Sequence, residues 1–231
     1  MISSLHAWNV SSQEALRIQR RLQSQLLIQP LQHEIHYIGG ADISFNRGSD
    51  RLHAGIILLD YHTLKPVAHS LVQTEAPFPY VPGLLSFREI PALLEAWEQL
   101  ELHPDVVMLD GNGIAHPRRL GVASHFGLWV DKPSLGCAKK LLTGLHESPG
   151  NEAPSKSIIY DNNDRLGFAL RSRTNVKPVY LSPGHLLDHE STLHISLHCL
   201  TGYRIPEPTR LAHQLVNRLR RGELKAGFSY Y

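Results

Sequence analysis

The chain has 231 residues, 42% of them apolar and 19% charged, which is enough for a substantial core and argues against intrinsic disorder. At about 100–200 residues per domain, this length predicts a single domain spanning the whole chain. The 23 Lys and Arg residues nearly cancel the 21 Asp and Glu, leaving a formal charge of +2 and excluding a surface that is basic throughout.

Two cysteines, Cys137 and Cys199, are too few for a disulfide scaffold and do not form a Cys-x-x-Cys zinc motif. No apolar run approaches the roughly 20 residues of a membrane span. Met1–Val10 has neither the basic nor the apolar region of a signal peptide. The expectation is a soluble, cytoplasmic protein. Charge is nevertheless uneven. Arg118, Arg119, Lys132, Lys139 and Lys140 face only Asp131 between 115 and 140. Arg204, Arg210, Arg218, Arg220, Arg221 and Lys225 face only Glu207 and Glu223 after 200. Each stretch is a local basic stripe, either a solvated helix face or a place to hold phosphates near a metal.

In chain order, Ser11-Ser12-Gln13-Glu14 reads as a capping box. The helix it opens carries Ala15, Ile18, Leu22 and Leu26 on one face. Three strand-like runs follow, at Tyr37–Ser44, His53–Asp60 and Pro66–Thr74. Their short connections predict an antiparallel meander. The period then changes to that of a helix, with Phe87, Ile90, Leu93, Leu94, Trp97 and Leu100 on one side. Pro91 within it predicts a late start or an early kink. Asp105–Asp110 reads as a buried parallel strand ending at a Gly-Asn-Gly turn. A helix over Arg118–Trp129 and a strand over Pro133–Cys137 come next. His146–Lys156, rich in Ser, Pro, Gly and Asn, reads as a loop or insertion. Short strands at Ser157–Tyr160, Leu166–Arg171 and Pro178–Leu181 precede a helix over Asp188–Leu200. A last helix opens at Pro206-Glu207-Pro208-Thr209. The right-handed crossover rule lets the fourth strand return beside the first, bringing Asp42 and Asp110 together.

A carboxylate at Asp42, inside an apolar strand, is costly unless paired or bound to metal. With Asp110 and Glu89 it makes an oxygen-rich set, which favours Mg²⁺ or Mn²⁺ over zinc. Each acid also has a structural reading: a satisfied strand Asp, a turn Asp and a solvated helix Glu. Lys139 and Lys140 fit either a phosphate contact or a surface pair. His116 follows the Gly111–Gly113 turn, whose glycines let backbone approach a ligand. His213, on the last helix, reads as either a satisfied helix histidine or a site residue. Pro79-Tyr80-Val81-Pro82-Gly83 holds an aromatic ring between two prolines, as a base-stacking wedge or as a core-edge turn.

Taken together, Pro79–Gly83, Leu85–Glu89, Asp110–Gly113, His116–Gly127 and Gly202–Arg210 closely resemble endonuclease V, the deoxyinosine-directed repair nuclease; the likeness runs from about residue 35 to 215. The resemblance implies an α/β, ribonuclease-H-like mixed sheet, the antiparallel meander continued by parallel strands and flanked by helices. It implies hydrolysis of the second phosphodiester bond 3′ to inosine, leaving 3′-hydroxyl and 5′-phosphate ends, with Mg²⁺ or alternatively Mn²⁺. By the same resemblance Asp42, Glu89 and Asp110 are metal ligands, with His213 nearby, and His116 and Lys139 are helpers of catalysis. Tyr80 is the wedge, and Gly83, Leu85, Gly111 and Gly136 line the pocket for the flipped base. Arg88, Arg118, Arg119 and Arg210 contact the substrate. The expected partner is inosine-containing DNA, single- or double-stranded, with RNA or silent binding as the rival readings, and the expected state is a monomer. Asn112 departs from the many relatives that carry His.

Overall fold

A computed structural model describes residues 4–231. One mixed sheet of nine strands runs through it, in the spatial order β6-β7-β8-β5-β4-β1-β2-β3-β9. The meander is β1 (Tyr37–Phe45), β2 (Arg51–Asp60) and β3 (Pro66–Glu75), paired antiparallel as expected. β4 (Val106–Leu109) lies parallel to β1, and β5 (Ser134–Ala138) parallel to β4. Beyond β5 the sheet turns antiparallel again through β8 (Val179–Pro183), β7 (Asp164–Arg171) and β6 (Ser155–Asp161).

Helices cover both faces, so the central strands are apolar on both sides. On β2, Leu52, Ala54, Ile56 and Leu58 point to one face and Ile57 and Leu59 to the other. The first face packs on α2 (Leu85–Glu98) and α3 (Val122–Val130) through Ile90, Leu93, Trp97, Ala123 and Phe126. The second packs on α4 (His189–His198) and α5 (Glu207–Arg220) through Leu193, Ile195, Ala212, Leu215 and Leu219. α1 (Ser12–Gln23) is capped by the Ser11 hydroxyl, which accepts the Glu14 N–H. It packs with Phe78, Phe87 and Leu120.

Several boundaries differ from the sequence reading. α1 stops at Gln23, so Leu26 lies outside it. α2 begins at Leu85 and runs through Pro91, with no late start. α3 starts at Val122 rather than Arg118, because Arg119 adopts a left-handed φ of 56° and the preceding residues fold back, Gly121 N–H donating to the Gly113 carbonyl. β9 (Gly227–Tyr230), on the β3 edge, was not expected from the sequence. No helix among the described residues is long and apolar enough to cross a membrane.

Candidate active site

Strand periodicity sets the acidic centre. Ile38 on β1 and Val106 and Met108 on β4 face the α5 side. Two-residue alternation carries Asp42 and Asp110 to that same side. The parallel register pairs Ala41 with Leu109, and Asp110 N–H donates to the Ala41 carbonyl at 2.9 Å. The two carboxylates therefore emerge side by side where β1 passes the end of β4. α5 supplies the third group. It crosses β1 at Gly40, where a Cβ would lie 2.0 Å from the Pro208 carbonyl oxygen. Only glycine admits that approach, and it sets His213 against Asp42, Nδ1 to Oδ2 at 2.7 Å. Asn217, one turn on, faces the other ring nitrogen at 3.1 Å.

Ligand atoms of Asp42, Asp110 and His213 all lie within 4.8 Å of one another. Glu89, from α2, stands outside that triple but lines the same cavity of about 190 Å³ with Asp42 and Asp110. Burial, then the charges of Asp42 and Asp110, push its carboxyl up to about 8. Burial and Asp42 likewise raise Asp110, against the lowering by the Lys139 ammonium bonded to it. Three acids crowded around one ammonium, with an imidazole and no thiolate among the donors, suit a divalent cation that prefers oxygen.

A second cavity, of about 360 Å³, shares Glu89, Asp110 and Val122 with the first. Tyr80, Gly83, Leu85, Gly111, Asn112 and His116 line it. The Tyr80 loop is pinned through one carbonyl. Gly83, at a left-handed φ of 77°, accepts from Gln19 Nε2 (3.0 Å), His116 Nε2 (3.0 Å) and Arg118 Nη2 (2.7 Å). His116 Nδ1 accepts the Arg118 N–H at 3.2 Å, so both ring nitrogens are used by the neutral form. Burial, then Arg118, hold its pKa down at about 4. Tyr80 itself is 59% exposed, with its ring centroid 6.2 Å from that of Phe45.

Other expected residues sit elsewhere. Gly136 lies beneath the Gly111–Gly113 turn, with a would-be Cβ 2.5 Å from the Gly111 oxygen; it supports the cavity wall and does not line it. Arg88 is 2% exposed and binds Asp50, the Phe78 carbonyl and the Ser49 carbonyl, so it anchors the loops around the wedge and presents no face to a phosphate. Arg119 pairs with Asp161 and Asp164 on the β6–β7 hairpin. Arg210 forms a two-pronged pair with Glu207 and stacks 4.2 Å from the centroid of Tyr203. Arg118 bonds to Gln19 as well as Gly83. Leu141 and Leu142 line the pocket opposite these elements, as does the exposed Lys140. Sequence reasoning passed over the two leucines. Their only signal was an apolar pair directly after Lys139-Lys140, between the strand expected over Pro133–Cys137 and the loop expected from His146.

A mixed sheet flanked by helices, with clustered carboxylates beside a base-sized cavity, places this chain among the ribonuclease-H-like α/β enzymes. It belongs to the endonuclease V family, whose profile matches residues 20–214. Endonuclease V of Myxococcus xanthus is 47% identical over 95% of this chain and 94% of its own. The crystal structure of endonuclease V from Streptomyces avermitilis superposes with a TM-score of 0.88 at 36% identity, covering 94% of this chain and 96% of the other. The Ciona intestinalis enzyme, at TM-score 0.81 and 26% identity, covers 93% of this chain and was solved with a 23mer DNA containing an inosine followed by a ribo-adenosine.

Proposed function

We propose that this endonuclease recognises inosine in DNA and hydrolyses the second phosphodiester bond on its 3′ side, as a repair enzyme acting as a single-domain monomer in the cytoplasm. The observation that carries the reading is the common wall of the two cavities, which puts a pocket for an extruded base against an acidic centre.

In this reading Asp42, Asp110 and His213 hold a divalent ion, Mg²⁺ with Mn²⁺ as the alternative, and Glu89 completes the acidic surround. When bound, such an ion would supply Lewis acidity at the scissile phosphate and charge stabilisation at the leaving 3′-oxygen. The remaining work belongs to the chain. Flipping costs a few kcal/mol, less for an inosine mispair than for a sound pair, and the exposed Tyr80 ring fills the gap left in the stack. Gly83, Leu85 and Gly111 line the receiving pocket. Hypoxanthine offers an O6 acceptor and an N1–H donor. Adenine lacks both in that form, and guanine brings a 2-amino group that would enter unpaired. His116 acts by fixing the Gly83 carbonyl, since neither of its nitrogens is available for proton transfer. Lys139 balances Asp110 and meets the phosphate. The exposed Lys140 at the pocket is free to meet a flanking phosphate, whereas Arg118 is held by Gln19 and Gly83, and Arg119 and Arg210 would have to exchange a carboxylate for a phosphate.

A labelled duplex with one inosine, incubated with Mg²⁺, should give a single nick two bonds 3′ to the base. Equal cutting of an adenine control, or none of either, would reject the proposal. Inosine in RNA is the second reading, supported by the ribonucleotide that follows inosine in the Ciona complex. A matched RNA oligonucleotide in the same assay ranks the two.

A further inference from the structure

The stretch Gly202–Arg210 carries much of the family likeness, yet only its second half has an evident task, docking α5 across Gly40. Its first half contains Arg204, whose side chain reaches from the α4–α5 loop to the main chain of Lys139. Nε donates to the Lys177 carbonyl at 2.8 Å. Nη2 donates to the Pro178 carbonyl at 2.9 Å and to the Lys139 carbonyl at 3.1 Å. Three main-chain oxygens from two strand ends thus converge on one guanidinium.

The chain needs such a group there. Pairing of β5 with β8 ends at Ala138 and Tyr180. Two residues before Tyr180 stands Pro178, which has no N–H with which to extend the ladder. Lys139 is the first residue past the paired strand, and its ammonium contacts Asp110. A rigid planar fork of donors restores what the missing ladder cannot supply.

We infer that Arg204 is a positioning residue for the cleavage step, holding the main chain of Lys139 so that its ammonium stays on Asp110 and the phosphate. The inference rests on the reading of Lys139 as a member of the cleavage site. Arg204 touches neither the base pocket nor the acidic cavity, so its loss should act on the rate and not on binding. α5 keeps its own attachments, the Gly40 contact and the Glu207 N–H to Cys199 carbonyl bond at 2.9 Å.

The full-length variants R204Q, K139A, R204Q/K139A and S172A are compared on the inosine duplex in Mg²⁺ by single-turnover rate and by Kd. R204K, which keeps the charge but loses the fork, replaces R204Q if the latter does not fold. R204Q should lose roughly ten- to hundredfold in rate, the scale of a small misplacement at a reacting centre, with Kd within about twofold of wild type. In the K139A background the same change should cost less than about twofold, since two residues acting as one unit are not additive. S172A removes the hydroxyl that donates to the Arg204 carbonyl. It loosens the same loop without touching Lys139, and should cut normally.

Additive losses, an S172A defect as large as that of R204Q, or a normal R204Q beside a defective K139A would each overturn the inference. A K139A rate equal to wild type would instead overturn the reading of Lys139 itself, so the two failures are told apart.

Discussion

His116 offers a quantitative test of how the base pocket is held. Its Nε2–H donates to the Gly83 carbonyl while Nδ1 accepts from Arg118 N–H. Protonation must break the second bond and place a cation beside Arg118 inside a site where His116 is 3% exposed. The fall from the ordinary 6.5 to about 4 corresponds to about 3 kcal/mol at 1.36 kcal/mol per pKa unit. Between these values the unfolded chain binds more protons than the folded one, so stability rises with pH across that window. The contribution is complete above pH 6.5, is lost as pH falls toward 4, and is flat below. H116Q keeps a donor and an acceptor but does not titrate. Urea unfolding of both proteins from pH 4 to 8 should show wild type losing about 3 kcal/mol relative to H116Q at the acid end. A difference that stays constant over the whole range, or an imidazole titration followed by NMR with its midpoint near 6.5, would refute the bonding scheme.

The remaining expectations concern the centre, the wedge and the sheet. Asp42→Ala or Asp110→Ala should abolish Mg²⁺-dependent nicking while inosine DNA still binds in a gel-shift assay, because the base pocket is left standing; near-normal nicking by either would remove these residues from the metal site. Tyr80→Ala should lose roughly ten- to hundredfold on duplex substrate, equivalent to about 1–3 kcal/mol of stacking, and less on single strands. With the ring 59% exposed, its melting temperature should barely move, and a destabilised variant with equal losses on both substrates would make Tyr80 structural. Gly40→Ala should destabilise by about 3 kcal/mol through overpacking against Pro208 and reduce cutting by moving His213 off Asp42; a crystal structure with α5 unmoved would contradict this.

Much of this architecture was legible because its signals are local. The apolar run Ile56–Leu59 marked β2, short connections fixed the meander, and the handedness of crossovers put β4 beside β1 and hence Asp110 beside Asp42. The start of α3 was misplaced because Arg118–Leu120 has ordinary helical composition. What stops the helix there is tertiary: the bonds of Arg118 to Gly83 and Gln19 and of Arg119 to the β6–β7 hairpin. The same cause hid the engagement of Arg88 and Arg119, whereas Arg210 pairs within its own helix, three residues from Glu207. A cation in a sequence looks alike whether its partner is solvent, phosphate or a carboxylate forty residues away. His213 was ambiguous by sequence because its neighbour Asp42 lies 171 residues distant, a separation that only the Gly40–Pro208 crossing closes. The Leu141–Leu142 wall was missed because an isolated apolar pair between two expected elements has no period to read.

The wall common to the two cavities has a geometric consequence. Glu89 comes from α2 and Asp110 from the end of β4, both anchored in the core beneath the sheet. Both side chains line both cavities, so the pocket and the acidic centre meet without an intervening element. The interval along the nucleic acid between a captured base and the bond that meets the carboxylates is therefore a fixed ruler, cast in the sheet itself. Sequence flanking the lesion can change how often the enzyme engages, but the offset of the cut should stay the same.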